Sequence, residues 1–379
     1  DGKFYLTREI SDNQDGWKKI DLSKQIGKQL FNGQNITIKK FGARQNESSS
    51  KLMIAVAVSI GGKDALIVSP KLSNEDSVFG QEISWKKIDF DGEPGRVSKI
   101  VISDIFLGYS DNKNLLVVDV LRNPNDKTPL LFRYYVAPDH PTQKWKEGDV
   151  SVDFQANKSI NVIGRVSKKR VDGIFTLGTL GDAHTLIYHP IDMKSRVAPN
   201  PIRLSLEGGA NPENIAVTSI ADPKYTELFA VGEESLFYFG LDNQRDEAVG
   251  TKIFTNEILE GVKSLHASSN DKEVIIWGLN KKGEVFYMTC PVDNITDEKK
   301  WSYPLPIVVD AKQVAPYLNK TNNSNTFFVH TGENELSKME LSSKTDTWLT
   351  SPILLPAAST ETLQIKSYTT QITLEDGEG

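Results

Sequence analysis

The chain is patterned in short runs of β-branched and aromatic residues, separated by Gly, Asn, Asp and Pro turns. Six of these runs are almost continuously apolar: KLMIAVAVS, LLVVDVL, GIFTLGTL, ELFAVG, EVIIWGL and TFFVHTG. A strand exposed on one face alternates apolar with polar, so an unbroken apolar run marks a strand covered on both faces. No fifteen-residue segment carries an i, i+3, i+4 apolar stripe without a competing β alternation. Helices are therefore predicted to be nearly absent.

The runs belong to a repeat. Gly283-Glu284-Val285-Phe286-Tyr287 is followed by Trp301, and Gly2-Lys3-Phe4-Tyr5-Leu6 by Trp17. ALIVSPK precedes Trp85, LLFRYYV precedes Trp145 and ELSKMEL precedes Trp348, while TLIYHPI and SLFYFGL are followed by NPIRLSL and TKIFTNEI. Taking Phe4, Leu66, Leu131, Leu186, Phe237, Phe286 and Ser337 as equivalent gives spacings of 62, 65, 55, 51, 49 and 51 residues. Seven copies consume the chain. Two more strand-like runs lie between one tryptophan segment and the next, so each unit reads as four short strands, the pattern of a propeller blade. A lone four-stranded sheet cannot bury both faces, and stacking around an axis covers each with its neighbour. The outer strand carries Lys18, Lys19, Lys86, Lys87, Pro304 and Pro306, which resist edge-to-edge pairing.

The expected fold is all-β, a single seven-bladed β-propeller of four-stranded antiparallel blades spanning 1–379. Its units fall at about 1–35, 36–95, 96–155, 156–210, 211–260, 261–308 and 309–361. Residues 362–379 would complete the blade begun by 1–22, closing the ring with N- and C-terminal segments in one blade.

The order of apolar strand, Asn/Lys-Gly turn, Val-Phe-Tyr strand and outer tryptophan in EVIIWGLNKKGEVFYMTCP and Trp301 resembles the repeat of tectonin and tachylectin-type β-propeller lectins. Residues 274–301 carry the resemblance most fully, with 1–17 and 65–85 beside them. It implies a propeller that binds sugars at repeated shallow sites without catalysis. SDNQDGW and TDTW also resemble the Asp-box turn of sialidase-like propellers, a structural turn where it occurs.

Composition narrows the chemistry. Forty-four basic against fifty acidic residues give a net charge of −6, which argues against a nucleic-acid binder held by phosphate neutralisation. No apolar run reaches the ~20 residues a membrane helix needs. Cys290 is the only cysteine, so no intrachain disulfide and no cysteine-based metal site can form. Asn-x-Ser/Thr sequons at Asn35, Asn46, Asn157, Asn294, Asn319 and Asn322 fit a secreted, glycosylated protein, and equally an Asn- and Ser-rich loop protein that generates them freely.

No phosphate-binding glycine loop, GxSxG or HExxH appears, and His140, His184, His189, His266 and His330 are scattered. His184 and His189, five apart on a strand, point to opposite faces, and no cofactor or metal is expected. Hairpin turns carry Asp1, Asp64, Asp126, Asp182, Glu233, Asn280 and Glu333. Near an axis they could ring a cation, but turn chemistry also explains them, and Lys63, Lys127, Lys281 and Lys282 share the loops. Trp17, Trp85, Trp145, Trp301 and Trp348 recur at one blade position, as packing wedges or as stacking platforms for sugar rings; Tyr287 admits both readings. Trp277, inside an apolar strand, reads as core.

The function expected is binding rather than catalysis: extracellular, lectin-like glycan recognition by those tryptophans and Tyr287. One alternative is a protein-interaction or spacer domain of a larger secreted protein, with the tail SYTTQITLEDGEG leading into a further β domain. Another is a carbohydrate-active hydrolase or lyase, since propellers host such enzymes.

Overall fold

The computed structural model describes residues 4–6, 18–46, 51–69, 83–88, 100–110, 113–122, 130–136, 146–151, 154–165, 172–180, 183–190, 202–219, 226–239, 249–269, 272–319, 324–332, 335–342 and 347–353. Trp17, Trp145, Asn322 and the segment 362–379 expected to close the ring lie outside them, as do Asp1, Asp126, Asp182 and Glu333. The chain forms two compact units, one of residues 1–161, 178–182 and 189–201, the other of 162–177, 183–188 and 202–379.

The fold is mostly β, and its recurring element is a four-stranded antiparallel sheet. The first elements are β1 (Phe4–Leu6) and β2 (Lys18–Ile20), paired as a hairpin, then α1 (Leu22–Leu30). One sheet follows from β3 (Thr37–Asn46), β4 (Lys51–Ile60), β5 (Lys63–Val68) and β6 (Lys86–Ile88). The next takes β7 (Ile100–Ser110), β8 (Lys113–Arg122), β9 (Leu130–Val136) and β10 (Lys146–Ser151). An eight-stranded sheet then combines two four-strand sets. These are β11 (Phe154–Arg165), β12 (Asp172–Leu180), β13 (Ala183–Pro190) and β14 (Ile202–Leu206), then β15 (Asn214–Ser219), β16 (Thr226–Gly232), β17 (Ser235–Phe239) and β18 (Val249–Thr255). A short parallel link, Ser205 with Val249 and Leu206 with Gly250, joins the sets at their outer strands. The last two sheets are β19 (Ser264–Ser269), β20 (Glu273–Leu279), β21 (Val285–Pro291) and β22 (Leu305–Val308), and β23 (Gln313–Asn319), β24 (Ser324–His330), β25 (Leu336–Ser342) and β26 (Thr347–Ile353).

The continuous apolar runs are the second strands of these sheets, and their burial explains the pattern. Ile54 through Val58 of β4 are wholly inaccessible, as are Leu228 through Val231 of β16. Alternate residues of such a strand feed two different interfaces. In the first unit Ala55, Ala57, Leu66 and Val68 pack against Ile102, Ile105, Leu116, Val118 and Val120 of the following sheet. In the second unit Phe229, Val231 and Leu236 pack against Val274, Ile276, Phe286 and Met288, while Leu279 and Val285 pack against Val314, Phe327, Val329 and Met339. The first strands of consecutive sheets run side by side, β3 with β7 and β15 with β19. Such sheets are stacked like blades converging on their leading strands.

The repeat also shows in the irregularities. β3 slips register after its second residue and β7 after its third, at Ile38/Lys40 and Ile102/Asp104, and β17 and β21 both slip between homologous residues, Leu236/Phe237 and Val285/Phe286. A bulge at a fixed place in successive units is a designed bend.

The helix α1 departs from the expected absence of helix. Leu22, Ile26 and Leu30 repeat at four-residue spacing, the first two wholly buried, and Asp21 caps the start by accepting from the Lys24 amide at 3.0 Å. Nine residues are too few to register in a fifteen-residue reading of the pattern.

Candidate inter-sheet aromatic site

The loops and the tryptophans were the two candidate regions, and the loops resolve first. Asp64, in the β4–β5 hairpin, accepts from the Lys39 ammonium at 2.6 Å and from the Ile102 amide at 2.8 Å, bridging the bulges of β3 and β7. Asn280 is wholly buried; its carbonyl oxygen accepts from the Lys282 and Glu284 amides, and its amide nitrogen donates to the Ile258 carbonyl. Glu233 accepts from the Asn211 amide. These three side chains serve the turns and their neighbours, and among the described residues no cluster of metal-binding groups forms. His184 is exposed and His189 buried, on opposite faces of β13.

The tryptophans divide. Trp85 is 5% exposed, and its backbone amide donates to Gln29 of α1, so it packs the helix against the strand segment before β6. Trp301 is 6% exposed and lies edge-on to Phe229 of the preceding sheet, its indole N–H spent on the Ile295 carbonyl at 2.9 Å. The 3-10 turn Glu298–Lys300, capped by Asp297, sets that indole in place. Both rings are wedges and neither offers a face to a ligand. Trp277 is buried, as its apolar strand implied.

Trp348 differs. It is half-buried on β26, edge-to-face with Tyr287 of the preceding sheet at 5.2 Å and with Phe327 at 4.8 Å. Tyr287 is also half-buried, and its cross-strand neighbour Leu305 is 63% exposed, with Tyr303 two residues earlier at 68%. An aromatic pair from two sheets is thus only half covered, and the strand that flanks Tyr287 carries an exposed phenol two residues upstream of Leu305. Rings packed edge-to-face and open to solvent on one side give rigid contact area at little entropic cost, and the phenol adds a hydrogen-bonding tip.

Register extends this site inward. His266, Trp277, Tyr287 and Leu305 stand directly opposite one another on β19, β20, β21 and β22, so one row of side chains runs from the innermost strand to the outermost. Sequence reasoning singled out Trp348 and Tyr287 but not Tyr303, Leu305 or His266. The row becomes readable once the Asn280–Gly283 turn fixes the β20–β21 register.

Of the sequons, Asn35 lies exposed between α1 and β3, and Asn294 is half-buried in the 3-10 turn Val292–Asn294, its carbonyl accepting from the Cys290 thiol at 3.4 Å. Asn46 and Asn319 end β3 and β23, and Asn157 lies within β11. Burial and the nearby Asp297 carboxylate push the Cys290 thiol up to about 11.

No protein-family model matches the chain, and no curated protein matches it in sequence. Solved structures do. A lectin of Aleuria aurantia in complex with alpha-methyl-L-fucoside is similar over 86% of this chain and 97% of its own, at 12% identity and a TM-score of 0.45. AofleA of Arthrobotrys oligospora is similar over 84% of this chain and 89% of its own, at 9% identity and a TM-score of 0.44. A post-proline cleaving enzyme from Rickettsia typhi is similar over 92% of this chain at 12% identity and a TM-score of 0.51, and the chain spans 49% of that enzyme's length. At these identities the likeness is one of fold alone.

Proposed function

We propose that the protein is a non-catalytic, extracellular glycan-binding β-propeller, its four-stranded sheets forming seven blades. The observation that carries the reading is the Tyr287–Trp348 pair, half-buried where two consecutive sheets meet, with the exposed Tyr303 two residues before Leu305, the cross-strand neighbour of Tyr287. Aromatic faces stack on the apolar faces of pyranose rings, and the phenol hydroxyls exchange hydrogen bonds with sugar hydroxyls. Trp17 and Trp145 hold the equivalent place in their units and offer further weak sites that act together by avidity.

The test is a multivalent glycan array with the wild-type protein, Trp348→Ala and Tyr303→Ala. Binding by the wild type and a roughly tenfold or greater loss in both variants is expected, ~1.4 kcal/mol or more at a stacking contact, with the melting temperature unchanged in Tyr303→Ala and lowered in Trp348→Ala, whose ring also packs on Phe327. Silence across the array at high density overturns the reading. The exposed apolar residues Leu305, Val309 and Leu349 favour a second reading, a protein-interaction or spacer domain of a larger secreted protein. Capture of a single protein partner that Leu305→Lys abolishes, with no glycan bound, would favour it.

A further inference from the structure

The face that β19–β22 turns toward β23–β26 carries an unusual load of buried polar atoms. His266 is 6% exposed, and both of its ring nitrogens are buried with no hydrogen-bond partner. The Trp277 indole nitrogen and the Ser264 and Ser268 hydroxyls are in the same state. All four residues share one face: His266 opposes Trp277, and Ser264 and Ser268 lie two residues to either side of His266. The corresponding face of the β15–β18 sheet presents Ala216, Phe229 and Tyr238 in the matching row, and the polar residues on either side of Ala216 are paired, the Asn214 amide donating to the Val262 carbonyl and the Thr218 hydroxyl to Ser269.

The opposing wall offers no help. The described side chains on the facing positions of β23–β26 are Val314, Phe327, Val329, Ser337, Met339, Leu341, Trp348 and Thr350, none of them titratable. His330, Lys338 and Glu340 occupy the alternate positions, on that sheet's far face. On the imidazole's own face of its sheet the titratable groups are Tyr287 in the row and Glu273 two rows away on β20, Cys290 of β21 lies on the opposite face, and β15, packed along the other side of β19, contains none. Nothing in the row pairs with a charge on His266. Neutral, the ring fits; charged, it sits in a dry seam without a counter-ion, the most costly placement a side chain has.

We propose that the seam between the β19–β22 and β23–β26 sheets is an acid-sensitive joint, shut while the His266 imidazole is uncharged and opened when the ring takes a proton. Tyr287 shares the row and Trp348 stands on it, so opening separates the aromatic pair. The joint works whether or not that pair binds sugar. Burial alone lowers the imidazole to about 4, whereas the ring in an opened, hydrated seam titrates near its usual 6.5. Acid therefore favours the open form, by about fifty-fold between pH 7 and pH ~4.5.

The experiment uses a thiol reporter on the seam. Val329, 1% exposed on the opposing wall, is replaced by cysteine, and the native Cys290, wholly buried in the seam on the other side of the same sheet, is the internal control. Labelling by a dipyridyl disulfide is followed from pH 7 to pH ~4.5, each rate normalised to free cysteine at that pH. The V329C site is expected to label about fifty-fold faster at the acid end while Cys290 stays protected, and His266→Gln or His266→Phe is expected to remove the acceleration. Equal acceleration in the His266 variants overturns the proposal, as does parallel labelling of Cys290, which would mean global unfolding. M339C, on the same wall, repeats the measurement should V329C fold poorly.

Discussion

At the scale of single residues, the aromatic positions show how one sequence signal serves two purposes. Trp301 and Trp348 hold the same place in adjacent units, yet the first spends its indole N–H on Ile295 and is buried, while the second stands half-open against Tyr287. That difference depends on the 3-10 turns that precede Trp301, so the repeated tryptophan was legible and its exposure was not. Among the turn residues Asn280 was transparent, accepting from two amides of its own turn, whereas Asp64 and Glu233 reach outside their hairpins, to Lys39 and Ile102 and to Asn211. Gly278 gives a sharper expectation. A Cβ there would lie 2.2 Å from the Phe286 ring and 2.9 Å from the Ser264 carbonyl oxygen, backbone that cannot yield. Gly278→Ala should destabilise by about 1–3 kcal/mol, read as a lower midpoint in urea with an unchanged slope.

At the scale of elements, strands were legible because burial on two faces leaves an unbroken apolar run, whereas α1 was hidden by its brevity. Its stability comes from Leu22 and Ile26 and from the Asp21 cap, joined by a Ser23 hydroxyl that donates to the same carboxylate at 2.7 Å. Asp21→Ala should cost about 1 kcal/mol, and Asp21→Asn, which keeps an acceptor, should recover most of it in thermal melts. The outer strands were harder to read. β6 has three residues and β22 four, and Lys86, Lys87 and Pro306 lie within them, so both the brevity and the side chains discourage further pairing at the edge.

At the scale of the molecule, pH is the lever. The His266 ring binds its proton at about 4 when folded and near 6.5 when unfolded, so between those values the unfolded chain holds more protons. Its contribution is complete above about pH 6.5 and falls as the solution is acidified, by on the order of 3 kcal/mol once pH drops below ~4. Urea midpoints for the wild type and His266→Gln should converge as pH falls through this window. Parallel curves would deny the histidine its role.

The second strands, buried on both sides, have a consequence for how such a chain can change. A substitution in Ile54–Val58 or Leu228–Val231 is felt in one seam or the other according to its place in the strand's alternation, and a sheet removed from the series would leave its two former neighbours with bare, greasy flanks. Growth or loss by whole units is thus penalised unless the flanks on either side already match, while the short last strands, exposed at Leu305 and Pro306, are freer to diverge. Novelty in this protein is confined to the last strands of its sheets.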